Sequence, residues 1–343
     1  MSAAIARHGI VTAGTWCVDL NKLIDHWPAE DTSNEVLAVD RQGGGSACNM
    51  AIDLRRLDSS LPVATMGLVG GDDHGRFLLG QCDQWGIERS RLQAVAGAPS
   101  LTVDAFTIRG AGRRTHFFLP GVAALLNPDH LDFSDVRADI LHLGLPGAHA
   151  AMDGAWKDHA NGWAATLKAA RAQGLRTNLE TMTIARERLA ALTAPCLPHL
   201  DFLIVNDYEI GAIAGEPTRN GEKPDIAAIW RAIELVFARG PLQLIVVHFP
   251  EGALLARRDG ARLAVGSVAI PQDAIVGVNG AGDAFAAGIL YGLHQRWSDE
   301  QSVALAHCSA AASMRSLSTT GGVMPVEECL ALAQRWGLRD APR

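Results

Sequence analysis

Residues 280–283 (sequence GAGD) place an acid among small residues, just before a stretch that favours a helix. The free N–H groups and the dipole of a helix N-terminus bind anions, and small residues let the backbone come close to them. A phosphate is therefore expected at Gly280, Ala281 and Gly282. Asp283 could accept a proton from a hydroxyl whose oxygen attacks a terminal phosphoryl group.

Asp283 also has a structural explanation. Acids in the first turn of a helix commonly cap the free N–H groups there. From this segment alone, capping and proton transfer explain the residue equally well, and one does not exclude the other.

A second glycine cluster, at residues 43–45, precedes a predicted helix at residues 52–57. The Asn49 amide can both donate and accept hydrogen bonds, which suits the hydroxyl groups of a polyol. The alternative is a tight turn in which Asn49 bonds to nearby backbone. Asp19, just after the first predicted strand, could accept hydrogen bonds from paired hydroxyls, although a lone acid is more often a surface residue.

Several classes of protein are excluded or disfavoured. The chain has no P-loop, and no Gly-x-Gly-x-x-Gly follows its first strand, which argues against a nicotinamide dehydrogenase. A net charge of −7 gives no reason to expect binding to nucleic acid or to an anionic membrane. No apolar run reaches the roughly 18 residues that a membrane helix needs.

The six cysteines stand singly, with neither a C-x-x-C pair nor a spacing typical of metal ligands. Reduced and mostly buried thiols are the simplest interpretation, and they favour a cytoplasmic protein. The first 15 residues are interrupted by Arg7, His8 and Gly9, so a signal peptide is not expected.

The segments that could carry chemistry must be positioned by a fold, and the pattern of apolar residues predicts its class. Continuous apolar runs indicate strands buried on both faces, as in a parallel sheet covered by helices; they lie at residues 10–14, 140–144, 202–206 and 244–248. Helical periodicity predicts crossover helices at residues 156–173 and 227–238. The predicted fold class is therefore α/β.

Two further stretches do not follow this alternation. Residues 35–39 favour a strand, and residues 102–108 and 114–119 favour a β-hairpin around a glycine-containing loop. Together they predict a small sheet that projects from the main layers and could act as a lid.

Three motifs in this order resemble the ribokinase-like (PfkB) family of sugar and nucleoside kinases. Residues 44–51 (GGSACNMA) resemble the N-terminal signature, residues 68–75 the following G-x-D-x-x-G segment, and residues 280–285 the C-terminal signature. The resemblance extends from Gly14 to about Pro325. It implies a three-layer α/β/α core with a mostly parallel sheet, as one domain over residues 1–343. Segments near 15–42 and 100–122 would form the lid.

The resemblance also implies roles for individual residues. Asp283 would be the base, and Gly280, Ala281 and Gly282 the anion hole. The acceptor sugar would be bound by a set on and beside the lid: Asp19, Gly44, Gly45 and Asn49. ATP would be the phosphate donor with Mg²⁺, which Asn206 and Glu209 of an N-x-x-E motif would hold through water. The nucleotide would lie near His248, Gly252 and Ser309.

This chain departs from the family pattern in two places that bear on its chemistry. Gly277 and Val278 replace the Asp-Thr pair before the C-terminal signature, which puts activation by a monovalent cation in doubt. His248-Phe249-Pro250 replaces the usual Thr-x-Gly, so the choice of phosphate donor could differ. His248 would either contact a phosphate as a cation or pack at the end of its strand.

Other interpretations stay open at this stage. Arg114 could reach over an acidic or phosphorylated sugar, or be a solvated loop charge. A nucleoside kinase of the same fold is an alternative, for which Trp16 could offer a slot for the base. A sugar- or nucleotide-binding regulator without activity is another. Relatives often pair their lids, so a homodimer is an arrangement that the resemblance allows.

Overall fold

Apolar runs of the sequence form the centre of one large sheet. The computed structural model describes residues 7–109 and 114–343. In chain order its strands are β1 (Ile10–Gly14), β2 (Cys17–Ile24), β3 (Val36–Gly44), β4 (Val63–Gly70), β5 (Glu88–Val95), β6 (Leu101–Ile108), β7 (Arg114–Leu119), β8 (Ile140–Gly144), β9 (Arg176–Leu179), β10 (Phe202–Asn206), β11 (Arg219–Asn220), β12 (Lys223–Pro224), β13 (Leu244–Phe249), β14 (Gly252–Arg257) and β15 (Arg262–Gly266).

Nine of these strands make the large sheet, in the order β15-β14-β13-β10-β9-β8-β1-β4-β5. The seven strands from β13 to β5 are parallel, whereas β14 and β15 add an antiparallel edge. The side chains of β1 and β8 are buried along their whole length. This explains why the central strands are apolar throughout, since helices cover both of their faces.

The helices form two layers. They are α1 (Ser46–Leu57), α2 (Asp73–Trp85), α3 (Ala150–Asp153), α4 (Gly162–Ala172), α5 (Arg186–Thr193), α6 (Asp207–Ala214), α7 (Ile226–Phe237), α8 (Ala281–Gln295), α9 (Asp299–Ser313) and α10 (Val326–Trp336). One core joins the sheet to α1, α2, α8, α9 and α10, and a second joins it to α3, α4, α6 and α7 with α5 at its margin. The predicted three-layer α/β/α architecture is confirmed.

Strands β2, β3, β6 and β7 form a separate sheet in the order β3-β2-β6-β7, here called the small sheet. The β2–β3 and β6–β7 pairs are antiparallel, and β2 and β6 run parallel. The hairpin predicted from residues 102–119 is present as β6 and β7. Residues 110–113 of its loop lie outside the described part of the chain.

Some boundaries differ from the sequence prediction. The helix predicted from residue 156 begins only at Gly162, because the Asn161 side chain caps α4 by accepting from Ala164 N at 2.9 Å. Helix α1 begins earlier than predicted, directly after Gly45, which places Asn49 in its first turns. No helix in the described residues is long and apolar enough to span a membrane.

Candidate active site

Helix α8 starts from a glycine that no other residue could replace without strain. Gly280 precedes the helix with a φ of 78°, and a Cβ there would lie 2.1 Å from the backbone oxygen of Thr319. Both observations require glycine, since side-chain-bearing residues disfavour a left-handed backbone. The start of α8 is therefore held close against the loop that carries Thr319.

Asp283 does not cap its own helix. The start of α8 has no side-chain cap. The Asp283 carboxylate is turned toward α1, where its Oδ2 accepts from Asn49 Nδ2 at 2.8 Å. The Asn49 Oδ1 in turn accepts from Thr319 Oγ1 at 3.3 Å. Asp283 and Asn49, 234 residues apart in the sequence, thus meet in one hydrogen-bonded group.

The backbone beside Asp283 has the geometry of an anion site. The first N–H groups of a helix lack acceptors within it, and Ala281 N reaches only back to Val278 O at 3.4 Å. The N–H groups of Gly282 and Asp283 therefore point out of the helix end. Gly282 is exposed and Ala281 half-buried, so an anion can approach both.

A second carboxyl group, which the sequence motifs did not reveal, lies close to Asp283. Glu180 follows β9, and its charge raises the pKa of Asp283. Its Oε2 also lies 2.6 Å from Nε2 of His142, which is on the neighbouring strand β8. The register pairs His142 with Asn178, so Asn178 and Glu180, two residues apart, share a face of the sheet with His142.

Burial and neighbouring charge shift the pKa values of these groups. Burial, followed by the charge of Glu180, raises the pKa of Asp283 well above its ordinary value, while the hydrogen bond from Asn49 opposes the shift. Burial also raises the pKa of Glu180 to about 7. The pKa of His142 is lowered by burial to about 4, so its imidazole is neutral at pH 7.

The acceptor-binding candidates lie where the small sheet meets the core. Asp19 on β2 lies against Gly44 on β3, where a Cβ would be 2.3 Å from Asp19 Oδ2. Only glycine permits this approach. Gly45 links β3 to α1, and its oxygen accepts from Asn49 N at 2.9 Å. The structure thus brings Asp19, Gly44, Gly45 and Asn49 together in one region.

Arg114 is the exception in this set. It begins β7, paired with Thr107, six residues along β6 from Leu101. At about 3.3 Å per residue this is roughly 20 Å from the end where Leu101 pairs with Cys17. The Arg114 side chain lies outside the described part of the structure.

A cavity of about 430 Å³ opens beside the start of α8. Its wall is mostly apolar and includes Val268, Ile270, Ile275, Val278, Phe285, Ala310, Ala311 and Met314. Asn206, Asp207, Arg219, His248 and Arg339 add polar groups. An apolar slot lined by a few polar groups and by Gly282 suits a nucleotide base with its phosphates toward Gly282.

Of the three nucleotide-binding candidates, His248 lines this cavity, whereas Gly252 and Ser309 do not. The His248 ring packs 4.9 Å from that of Phe285, and burial lowers its pKa to about 4, so it is not a cation at neutral pH. Gly252 is buried against Val265, and Ser309 is fully buried in α9. Neither lines the cavity, whereas Ala310 beside Ser309 does.

Asn206 and Glu209 form a capping box at the start of α6. The Asn206 side chain accepts from Glu209 N at 2.9 Å, and Glu209 Oε2 accepts from Asn206 N at 3.1 Å. Glu209 is 6% exposed, and its charge raises the pKa of Glu180. A cation would relieve this repulsion. The described residues contain no group of three or more acidic, His or Cys side chains arranged as ligands, so Mg²⁺ fits here through water and phosphate oxygens.

Comparison with known proteins decides the family. The model of the pfkB family carbohydrate kinases matches residues 8–326. The chain belongs to this family. It is therefore a sugar kinase, a phosphotransferase with an alcohol group as acceptor.

Individual relatives agree with this assignment. A Shouchella clausii protein named 5-dehydro-2-deoxygluconokinase is 22% identical over 334 residues, which are 95% of this chain and 95% of the relative. The structure of Arabidopsis thaliana ribokinase complexed with ribose and ATP has a TM-score of 0.78 at 19% identity and covers 95% of this chain and 98% of that one. A Methanocaldococcus jannaschii nucleoside kinase has a TM-score of 0.71 at 16% identity, with 96% and 99% covered. The ribokinase fold is thereby confirmed.

Sequence reasoning missed Glu180 and His142. Both belong to segments that match none of the three motifs, and Glu180 is about a hundred residues from Asp283. One signal was available: His142 lies inside a strand predicted to be buried, where a polar residue calls for a partner.

Proposed function

We propose that this sugar kinase transfers the γ-phosphoryl group of ATP to a hydroxyl of a sugar or sugar derivative, with Asp283 as the general base. One observation carries the proposal. The Asp283 carboxylate is fixed by Asn49 between the acceptor candidates on one side and the free N–H groups of α8 on the other. This is where a base must stand to take a hydroxyl proton as the oxygen attacks phosphorus.

The residues divide the work as follows. Asp19, Gly44 and Asn49 bind acceptor hydroxyls, and the start of α8 stabilises negative charge on the transferred group. ATP lies in the 430 Å³ cavity. Asn206 and Glu209 would hold Mg²⁺ through water, and the ion would supply positive charge to the phosphates. Closure of the small sheet as a lid excludes water, which limits hydrolysis of ATP.

A sugar acid is the first acceptor to test, because the Shouchella clausii relative is named for a gluconate derivative. The groups around the reacting centre, Asp19, Glu180 and Asp283, are acidic. The carboxylate of such an acceptor must therefore point away from them. Arg114, roughly 20 Å along the small sheet from the end where Leu101 pairs with Cys17, is too distant for the carboxylate of a monosaccharide acid to reach.

The nucleoside kinase alternative loses one of its supports. Trp16, which could have provided a slot for a base, is 1% exposed, and its Nε1 donates to Thr65 Oγ1 at 2.9 Å. It is part of the core and offers no face for stacking. This observation favours a sugar over a nucleoside as the acceptor.

The assay measures ATP consumption with sugars, sugar acids and nucleosides, each with Mg²⁺ and with a chelator. We expect turnover on a sugar or sugar acid that the chelator abolishes. Asp283→Asn should lower kcat by about 100-fold or more, the usual contribution of a general base. Turnover that survives this substitution would refute the base. No turnover on any acceptor would favour the non-catalytic regulator.

Two further parts of the proposal concern the cellular location and the oligomeric state. A cytoplasmic location is supported by the six cysteines, all buried and free; cell fractionation tests it. A homodimer through the small sheet is supported by its exposed apolar residues Val39, Phe117, Phe118 and Leu119, each more than half exposed.

A further inference from the structure

The cavity beside α8 is proposed to hold a nucleoside triphosphate, a ligand with several negative charges. Two imidazoles in its wall, those of His248 and His307, pack against the Phe285 ring with 4.9 and 5.2 Å between ring centroids. Among the described residues of the lining, the side chains that carry a permanent positive charge are those of Arg219 and Arg339. Any attraction of a phosphate by a cationic side chain of this wall must therefore come from one of these two arginines.

Arg219 is already neutralised within the protein. Its Nε donates to Asp207 Oδ2 at 2.6 Å and its Nη2 to Asp207 Oδ1 at 2.7 Å. The Asp207 side chain is only 3% exposed, so releasing Arg219 to a ligand would leave a buried carboxylate without its partner. Arg339 differs, because it is exposed and forms no ion pair with any residue in the described ranges 7–109 and 114–343.

The backbone of the C-terminal segment fixes the position of Arg339. Arg339 N donates to Ser267 O at 2.8 Å, and Leu338 pairs with Val268 in an antiparallel bridge just after β15. Ser267 in turn donates its hydroxyl hydrogen to Pro250 O at 2.8 Å, at the end of β13. Arg339 is thus attached to the same edge of the large sheet as the polar end of the cavity. A residue held in this way loses little backbone freedom when a ligand binds.

Two paired glycines make room for this segment. Gly252 on β14 pairs with Gly266 on β15. A Cβ at Gly266 would overlap the carbonyl oxygen of Arg339, and a Cβ at Gly252 would lie 2.8 Å from Pro342 Cγ. Gly252, which does not itself line the cavity, therefore helps to accommodate the segment that carries Arg339.

We propose that Arg339 binds a phosphate of the nucleotide donor, as the cation that the C-terminal segment supplies to the cavity. This inference rests on the proposed function, in which ATP lies in this cavity. The planar guanidinium group donates several hydrogen bonds to phosphate oxygens, and these bonds are strengthened by charge. The end of β13 offers no backbone donor in its place at Pro250, because proline has no N–H group.

The experiment measures the Kd of ADP by titration calorimetry for the wild type and Arg339→Ala at low ionic strength. We expect the Kd to rise about fivefold or more, the factor by which two unit charges about 4 Å apart attract each other in water. Salt on the order of 0.5 M should reduce the difference to less than about twofold, because an exposed charge is screened. Arg339→Lys should recover part of the affinity, since it keeps the charge and loses the planar fork.

Adenosine is the matched ligand and Arg343→Ala the matched variant. Adenosine has the base and ribose without a phosphate, so wild type and Arg339→Ala should bind it equally. Arg343 is also an exposed arginine of the C-terminal segment and does not line the cavity, so its removal should leave the Kd of ADP unchanged. An equal loss of affinity for adenosine and ADP in Arg339→Ala would overturn the inference.

The same titrations separate a failure of the inference from a failure of the proposed function. If the wild type binds ADP and Arg339→Ala binds it as tightly at low ionic strength, only the inference fails. If the wild type binds no ADP, the proposed use of ATP fails with it. Thermal melting shows whether Arg339→Ala is folded, and Arg339→Lys provides a second variant that keeps the charge.

Discussion

The close fit between Gly280 and Thr319 leads to a prediction about a single methyl group. In Gly280→Ala the new Cβ would lie 2.1 Å from Thr319 O, and the residue would keep a φ of 78°. The Thr319 loop cannot simply withdraw, because Thr319 also bonds to Asn49 and, through its N–H, to Gln42. The start of α8 must therefore shift away from the loop.

The magnitude can be worked out from these two effects. A left-handed backbone costs a residue with a Cβ about 1–2 kcal/mol, and overpacking a tight contact costs about 1–3 kcal/mol. The free energy of unfolding should fall by about 2–5 kcal/mol. For a chain of this length the entropy of unfolding is about 0.7 kcal/mol/K, so the melting temperature should drop by roughly 3–7 °C. Displacing one N–H donor at the anion site should lower kcat on the order of 100-fold.

The assay pairs thermal melting with steady-state kinetics, and Gly282→Ala is the control. A Cβ at Gly282 would lie 3.6 Å from His248 Cε1, an ordinary contact, in a helical backbone. This variant should melt at or slightly above the wild-type temperature. Its methyl group faces the cavity, so KM for ATP should rise. If Gly280→Ala melts like the wild type and keeps its kcat, the contact with Thr319 does not hold the start of α8 in place.

Two other predictions concern ions and assembly. Because Gly277 brings no carboxylate to the loop before α8, replacing K⁺ by tetramethylammonium at constant ionic strength should change kcat less than twofold; a loss of tenfold or more would contradict this. Phe118→Lys should convert the proposed dimer to a monomer in light scattering, since Phe118 is 61% exposed on the small sheet. The control is Leu235→Lys, a 38% exposed position on α7. A wild type that is already monomeric would refute the dimer.

The central sheet was predictable because its strands carry one unambiguous pattern. Three of the four predicted strands, β1, β8 and β10, have the predicted bounds, and β13 is longer by one residue. All are continuous, largely apolar runs that lie in the interior of the large sheet. By contrast β2 was not predicted as a strand, because one face of the small sheet is uncovered. Its sequence CVDLNKLI is only half-buried and lacks a strong pattern.

The candidate site was predictable in its motifs and not in its contacts. Residues 280–283 and Asn49 were identified because their residue types and order form recognisable segments. The meeting of Asn49 with Asp283, and the approach of Glu180 to Asp283, depend on how α1, α8 and β9 pack together, which no local pattern encodes. Ser309 is a second residue whose position could not be predicted from a local pattern. Its helix does border the cavity, but the helical phase turns Ala310 and Ala311 toward it.

The separation of the small sheet from the large one has a consequence for how such a kinase can diverge. The small sheet has a minor core, formed by Cys17, Leu101 and Ala123, distinct from the core that packs against α8. Substitutions on β6 or β7 can therefore accumulate without disturbing the helix that handles the phosphoryl group. Selection for a new acceptor can change residues of the small sheet while the residues proposed to transfer the phosphoryl group stay the same.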